Sequence, residues 1–423
     1  MEASESKLFR TDSILMMAVV AALALPLLVM VVFRPYVLPP GSFASEMGEV
    51  ARSVARGEGF SSPVGIPTGP TAWFAPAYPL LLAALFKILG VYTAAAALAA
   101  LALNTIFHAA LCALAYWAVM PVLGRTTARV SACLAALYPQ AIYLAGTYIW
   151  DTTLLAAALT LVVGLALRME MRAHIGVVFT CGLAMGGTLL INPSPLSFFI
   201  FLIVWRLLQE WGKPNAIRNM AVLILVPSAL FGPWMVRNYL TTGAFTPRCC
   251  AGLELMSYNV DGASHPWISS KERQLYKTLG ENRYNDICFQ RAKEAIVAEP
   301  GKYAFRVLER IRDWWLGGEP KEYLKRLHGL GNVKPLMHTF VAGMLLLAMV
   351  GAWEAIRGGA KILPLIALLV VFPLPYYFIN VTDRYAFPMR MIALLLAAHG
   401  LVAASKRLRR SPRAIADQTA PSL

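Results

Sequence analysis

Residues 13–33 read SILMMAVVAALALPLLVMVVF, an uninterrupted apolar run without a single charge. At 1.5 Å of rise per residue, a helix of this length crosses the ~30 Å hydrocarbon core of a bilayer. The stretch 337–356 repeats the pattern, with one carboxylate, Glu354, near its end. Inside lipid, backbone N–H and C=O groups have no water to bond, so a segment this long has to be a helix.

The rest of the chain agrees. Of its 423 residues 58% are hydrophobic and 14% charged, against roughly 25% charged in soluble domains. Little polar sequence separates the apolar runs, which predicts an all-α polytopic membrane bundle. Spans are expected near 13–33, 95–121, 130–147, 152–168, 174–191, 196–209, 219–236, 337–356, 362–379 and 386–404. The stretch 80–89 is apolar apart from Lys87, lies between Pro79 and Gly90, and is too short to span. It reads as an interfacial or re-entrant helix. Lys7 and Arg10 before the first run resemble a signal peptide, but the run is long and further spans follow, so a retained signal anchor is expected.

Charge fixes the orientation. With the N-terminus in the cytoplasm, the cytoplasmic loops hold Arg125 and Arg129, Arg168 and Arg172, Lys213 and Arg218, and Arg357 and Lys361. The basic tail 406–423, with Lys406, Arg407, Arg409, Arg410 and Arg413, falls on the same side and is expected to lose structure after Ser411. The opposite short loops, 148–151 and 192–195, contain no Lys or Arg. This is the positive-inside pattern of a multi-pass plasma (inner) membrane protein. It also accounts for the net charge of +15 without nucleic acid, since no basic stripe is interleaved with aromatics. The chain divides into a bundle 1–236 with an outer loop 34–94, an extracytoplasmic helical loop 237–336, further spans in 337–405, and the tail. Amphipathic patterns at 284–297 and 303–315 make the large loop a small helical cap, and the Trp314-Trp315 pair suits a membrane interface. Cys112, Cys133 and Cys181 fall in apolar segments. Cys249, Cys250 and Cys288 lie outside and leave room for one disulfide.

Parity brings polar residues from distant segments to one membrane face. Glu46 and Glu49 lie in the first outer loop, Asp151 opens the fourth span and Asn192 ends the fifth. Arg237 and Asn238 follow the seventh, and Asp383, Arg384 and Tyr385 precede the tenth. Singly, each has a plain alternative. Glu46 and Glu49 fit the solvated face of a helix 43–56, and Asp151 an N-cap. Arg237 and Arg384 fit interfacial anchors, and Asn192-Pro193 a helix end. Jointly, carboxylates and arginines at a membrane face suit a reaction on a lipid phosphate.

Several stretches resemble a known family. Residues 51–61 (ARSVARGEGFS), 69–73 (GPTAW) and 76–80 (PAYPL), which include Tyr78, look like the first outer loop of GT-C glycosyltransferases. The branch is the one that uses polyprenyl-phosphate sugars, similar to the lipid A aminoarabinose transferases and protein O-mannosyltransferases. Residues 233–239 (PWMVRNY) resemble that family's PW-x-x-RN-Y signature, Gly252-Leu253-Glu254-Leu255 through Asn259 its following segment, and Arg384-Tyr385 with Pro388 its late RY-x-x-P element. The chain departs from the pattern in three places. Residues 42–47 read SFASEM, without the family's leading Asp and aromatic, so Glu46 is the best match to its first acidic residue. Asp151 stands where Glu is frequent, and Asn192-Pro193 where Arg-Pro is.

The resemblance implies transfer of a sugar from a polyprenyl-phosphate donor to a lipid, glycan or protein acceptor at the outer face, with inversion. Glu46 would be the base (or Glu49, on a shifted alignment of the loop), and Asp151 a second acid or orienting group. Arg237 and Arg384 would hold the donor phosphate, with Asn238, Tyr385, Tyr78 and Asn192 around it. No cofactor is demanded, though a divalent metal ion between the acids is compatible with this set. Membrane lipids are the remaining partner. Two other classes fit in outline: a transporter or flippase of lipid-linked sugars, and a membrane assembly subunit without chemistry. The first calls for a polar path through the bundle. His108 and Glu354, the polar residues in or near spans, read instead as structural or boundary residues.

Overall fold

The computed structural model describes residues 12–37, 43–171, 174–317 and 334–418. Lys7, Arg10, Ser42 and Arg172 lie outside these, as do the side chains of Arg409, Arg410 and Arg413. The described residues form helices α1 (Ser13–Phe33), α2 (Ser45–Ala55), α3 (Ala77–Leu89), α4 (Ala94–Leu137), α5 (Pro139–Thr147), α6 (Thr152–Met171), α7 (Ile175–Ile191), α8 (Leu196–Glu210) and α9 (Ala216–Thr242). These are followed by α10 (Ala251–Asn259), α11 (Ser270–Leu279), α12 (Glu281–Ala298), α13 (Pro300–Leu316), α14 (Lys334–Arg357), α15 (Leu363–Val371), α16 (Leu374–Phe378) and α17 (Asp383–Gln418). This is an all-α polytopic membrane protein. Among the described residues six helices are long and apolar enough to cross a bilayer: α1, α4, α6, α9, and the segments His338–Arg357 and Asp383–Leu408. The shorter apolar helices Ile175–Ile191 and Leu363–Phe378 coincide with the expected fifth and ninth spans, and Ala77–Leu89 with the expected interfacial helix.

Helix α4 folds back on itself. Gly124 sits at φ 82°, ψ 164°, outside helical geometry, a conformation that costs glycine little. The His108 ring Nε2 meets the Ala135 carbonyl oxygen at 3.0 Å, and Asn104 Nδ2 donates to the Tyr148 carbonyl oxygen at 2.8 Å. Both pairs are centred near Gly124, so the two arms run antiparallel, as the expected spans 95–121 and 130–147 require. Arg125 and Arg129, in the turn, each donate through Nε to Asp12 Oδ2 at 3.0 Å. The Tyr116 hydroxyl reaches the same oxygen at 3.0 Å. Asp12, fully buried at the start of α1, thus locks the first helix to the turn. A buried carboxylate is tolerable only when paired in this way. His108 is likewise a bonded core residue, and Glu354 pairs with Arg407.

Helices in a membrane gain little from the hydrophobic effect, so close backbone packing carries more of the association. At the α14–α17 crossing, a Cβ on Gly351 would lie 1.9 Å from the Leu396 carbonyl oxygen, and one on Gly400 2.2 Å from the Leu347 carbonyl oxygen. Only two glycines permit this contact.

Several expectations are corrected. Helix α9 runs on to Thr242, so Arg237 and Asn238 sit on the helix and not in the loop after it. Trp314 is fully buried and its indole N–H faces Met389 Sδ at 2.9 Å, while the Trp315 N–H donates to the Tyr377 hydroxyl at 2.8 Å. The pair joins α13 to the bundle core and is not an interfacial anchor. All six cysteines are free, and the Cys249 thiol donates to Asn282 Oδ1 at 2.9 Å. The helical backbone of α17 continues through Gln418, past Ser411 where structure was expected to end.

Candidate active site

The polar residues meet in a small recess at the end of the bundle opposite the Asp12–Arg125–Arg129 cluster. Asp151 and Trp150 lie just ahead of α6, Asn192 follows α7, and Arg384 and Tyr385 open α17. The connector between α9 and α10 adds Arg248.

Asp151 is 4% exposed. Its Oδ2 accepts from Asn192 Nδ2 at 2.9 Å, and the Asn192 Oδ1 accepts in turn from the Ser194 N–H at 3.0 Å, which sets the amide's orientation. Burial raises the Asp151 carboxyl above its ordinary value, while the Asn192 bond and the charges of Arg248 and Arg384 draw it part of the way back. Arg384 donates to the Tyr148 hydroxyl and lies over Trp150, its guanidinium carbon 4.3 Å from the ring centroid. Tyr385 flanks it at 5.2 Å. Its Nε is buried and has no hydrogen-bond partner among the described residues. A cation held on aromatic faces with an unsatisfied donor is arranged for an anion. Arg248 donates through Nε to the Trp73 carbonyl oxygen at 2.9 Å and stands 5.5 Å over Phe74.

Glu46, in the first turn of α2, feels Arg384, Arg248 and Glu254. Burial pushes its carboxyl above the ordinary range, opposed by a main-chain hydrogen bond and by the charges of Arg384 and Arg248. Its closest basic neighbour is His265 Nδ1, 3.9 Å away. Nδ1 already accepts from the Trp267 N–H at 3.1 Å, and burial lowers His265 to about 4. The ring is therefore neutral at physiological pH and the contact is not an ion pair. Glu254 contributes a third carboxylate, accepting from Asn380 Nδ2 at 3.2 Å.

The recess thus brings together Asp151, Asn192, Arg384 and Tyr385, with Glu46 beside them. Four other expected residues are engaged elsewhere. Glu49 accepts from the Tyr92 hydroxyl at 2.7 Å and pairs with Arg52 at 2.6 Å. The buried Tyr78 hydroxyl donates to Asn104 Oδ1 at 3.1 Å. Arg237 donates to the main-chain oxygens of Thr71 and Phe60 at 2.5 and 2.9 Å. Asn238, fully buried, bridges Arg237 and the Thr246 carbonyl oxygen. The second arginine of the recess is Arg248, and pairing Arg237 with Arg384 is corrected accordingly. Sequence reasoning missed Arg248 because it sits in a long loop that charge counting does not read. Glu254 had one signal, its place in the stretch 252–259. Asp383 also turns away, pairing with Arg390 at 2.7 Å. Among the described residues no group of three or more His, Cys, Asp or Glu side chains is gathered to hold a metal ion.

No protein-family model matches this chain, and no curated protein matches it. Among solved structures it is similar to the Archaeoglobus fulgidus oligosaccharyltransferase AglB in complex with an inhibitory peptide and a dolichol-phosphate. The TM-score is 0.49 at 12% identity, over 97% of this chain and 52% of that one. The Archaeoglobus fulgidus oligosaccharyltransferase in complex with Zn and sulfate aligns with TM-score 0.49 at 13% identity, over 94% and 49%. The form tethered to an acceptor peptide aligns with 0.48 at 13%, over 94% and 50%. The chain spans about half the length of these structures.

Proposed function

We propose that this protein is a GT-C-type glycosyltransferase that moves a sugar from a polyprenyl-phosphate donor to an acceptor at the extracytoplasmic face of the plasma membrane. The observation that carries the reading is the recess itself. Two arginines, Arg248 and Arg384, line it with Asp151, Glu46 lies beside it within their electrostatic reach, and burial raises both carboxyls.

The chemistry follows from those groups. The acceptor hydroxyl oxygen attacks the anomeric carbon, the bond from that carbon to the phosphate oxygen breaks, and polyprenyl phosphate departs with the electron pair. Phosphate leaves readily, so the main requirement is cationic stabilisation, which an arginine fork supplies bidentately. The hydroxyl proton passes to a carboxylate. A base works best with a pKa near the working pH, and burial moves Glu46 and Asp151 in that direction. Glu46 is assigned as the base, and Asp151, oriented by Asn192, as the group that orients acceptor or sugar. One displacement inverts the anomeric centre.

The test is incubation of the purified protein in lipid with a panel of polyprenyl-phosphate sugars and candidate lipid, glycan and peptide acceptors. Release of polyprenyl phosphate with a product of inverted configuration is expected. Binding without release across a panel that includes a competent donor would contradict the reading.

A further inference from the structure

The proposed reaction leaves a buried carboxylate of the large outer loop unused. Glu281, at the start of α12, is 7% exposed. Three donors converge on it: the Thr71 hydroxyl, the Ala72 N–H at 2.7 Å and the Tyr276 hydroxyl at 2.6 Å. On the same segment of chain, Arg237 grips the Thr71 carbonyl oxygen at 2.5 Å and the Phe60 carbonyl oxygen at 2.9 Å. Residues 71–72 are therefore held through both N–H and C=O groups by two charged side chains from different helices.

The recess hangs from this segment. The Ala72 carbonyl oxygen accepts the Cys249 N–H at 2.9 Å, and the Trp73 carbonyl oxygen accepts Arg248 Nε at 2.9 Å. Phe74, the next residue, lies beneath the Arg248 guanidinium. Arg248 belongs to no helix; these contacts to residues 72–74 orient its side chain, while its carbonyl oxygen accepts the Thr246 hydroxyl at 2.8 Å.

We infer that Glu281, together with Arg237, is a positioning residue for the donor-phosphate site, fixing residues 71–74 and through them the Arg248 guanidinium. This rests on the reading of Arg248 as a phosphate ligand. It also gives Arg237 a role in the site without contact to substrate. A purely structural Glu281 would alter stability and leave phosphate selectivity alone.

The test uses the full chain in lipid nanodiscs, with a short-chain polyprenyl phosphate as probe and the matching polyprenol as phosphate-free control. Thr71→Val removes one donor while keeping the side-chain shape, Glu281→Ala removes the acceptor, and each is combined with Arg248→Ala. Hydrogen–deuterium exchange is followed in the peptide 246–253. Both single variants are expected to speed exchange there and to weaken polyprenyl phosphate roughly tenfold, the scale of one hydrogen bond to a charged group, with polyprenol binding unchanged. On the Arg248→Ala background they should add nothing further, because they act through that residue. Unchanged exchange in the folded Thr71→Val variant, or equal weakening with and without Arg248, would overturn the inference. If the wild-type chain does not prefer polyprenyl phosphate to polyprenol, the donor reading fails, and the exchange data alone decide whether the clamp exists.

Discussion

The guanidinium carbon of Arg384 lies over the indole of Trp150, 4.3 Å from its centroid, while the arginine Nε is buried without a hydrogen-bond partner among the described residues. Lysine can supply the charge at this position but neither the planar stack nor the fork. Arg384→Lys and Arg384→Ala should both weaken polyprenyl-phosphate binding by about 1.5–3 kcal/mol, or roughly ten- to a hundredfold. Arg248→Ala should couple to Arg384→Ala, the double variant losing less than the sum, because both face one recess. Equilibrium binding across the four-variant cycle checks this. Additive losses with full rescue by lysine would make the two arginines independent anchors.

The Asn192 amide donates to Asp151 at 2.9 Å, and this bond lowers a carboxyl that burial raises. A carboxylate that must be ionised to act gains activity as pH rises through its pKa. The acid limb of the rate profile should therefore lie above the ordinary carboxylate range of about 4. Asn192→Ala removes a bond that favours the charged form, so any limb set by Asp151 should move further up in pH. A limb that is unmoved would assign it to Glu46. Turnover measured from pH 4 to 8 in both proteins distinguishes the two.

Gly351 and Gly400 bring α14 and α17 into backbone contact. Gly351→Val must push the helices apart, because the new side chain would meet the Leu396 carbonyl. Overpacking of this kind costs about 1–3 kcal/mol. A lower unfolding midpoint in detergent is expected, larger than for Gly301→Ala, where no neighbour lies within reach. Equal midpoints would contradict the packing account.

Charge parity places the loops 34–94 and 237–336 on one side of the membrane and Arg168 on the other. Single-cysteine reporters at Thr68 and Ser269 should label from outside, and one at Arg168 only after permeabilisation. The background is a chain whose six native cysteines have been replaced. Opposite labelling of Thr68 and Ser269 would end the topology, and with it an extracytoplasmic recess.

The all-α membrane architecture was legible because hydropathy and length decide it, and the stretch 80–89 was set apart by its length. Parity was legible because lysines and arginines cluster on alternate loops. It predicted Asp151, Asn192 and Arg384 together, and the structure brings the three into one recess. What it could not supply was contact. Arg237 and Arg384 are equivalent by parity, yet Arg237 is bound to two main-chain carbonyls that only the folded first loop presents. Arg248 carries no periodicity or spacing signal, and its position comes from the carbonyl of Trp73, far away in sequence. The Trp314-Trp315 pair was misassigned because an amphipathic helix ending in tryptophan looks the same whether it faces lipid or a core. Only the packing against Met389 and Tyr377 separates the two.

The central claim is that Glu46, beside this recess, takes the acceptor's proton while the arginines hold the departing phosphate. The most direct measurement is the rate of acceptor-dependent polyprenyl-phosphate release by the wild-type chain, Glu46→Gln and Asp151→Asn, with donor binding measured in parallel. Loss of the base should cut the rate by about 10²–10⁴ in Glu46→Gln, with donor affinity within a few-fold of wild type and Asp151→Asn also impaired. Full activity in both variants would contradict the account.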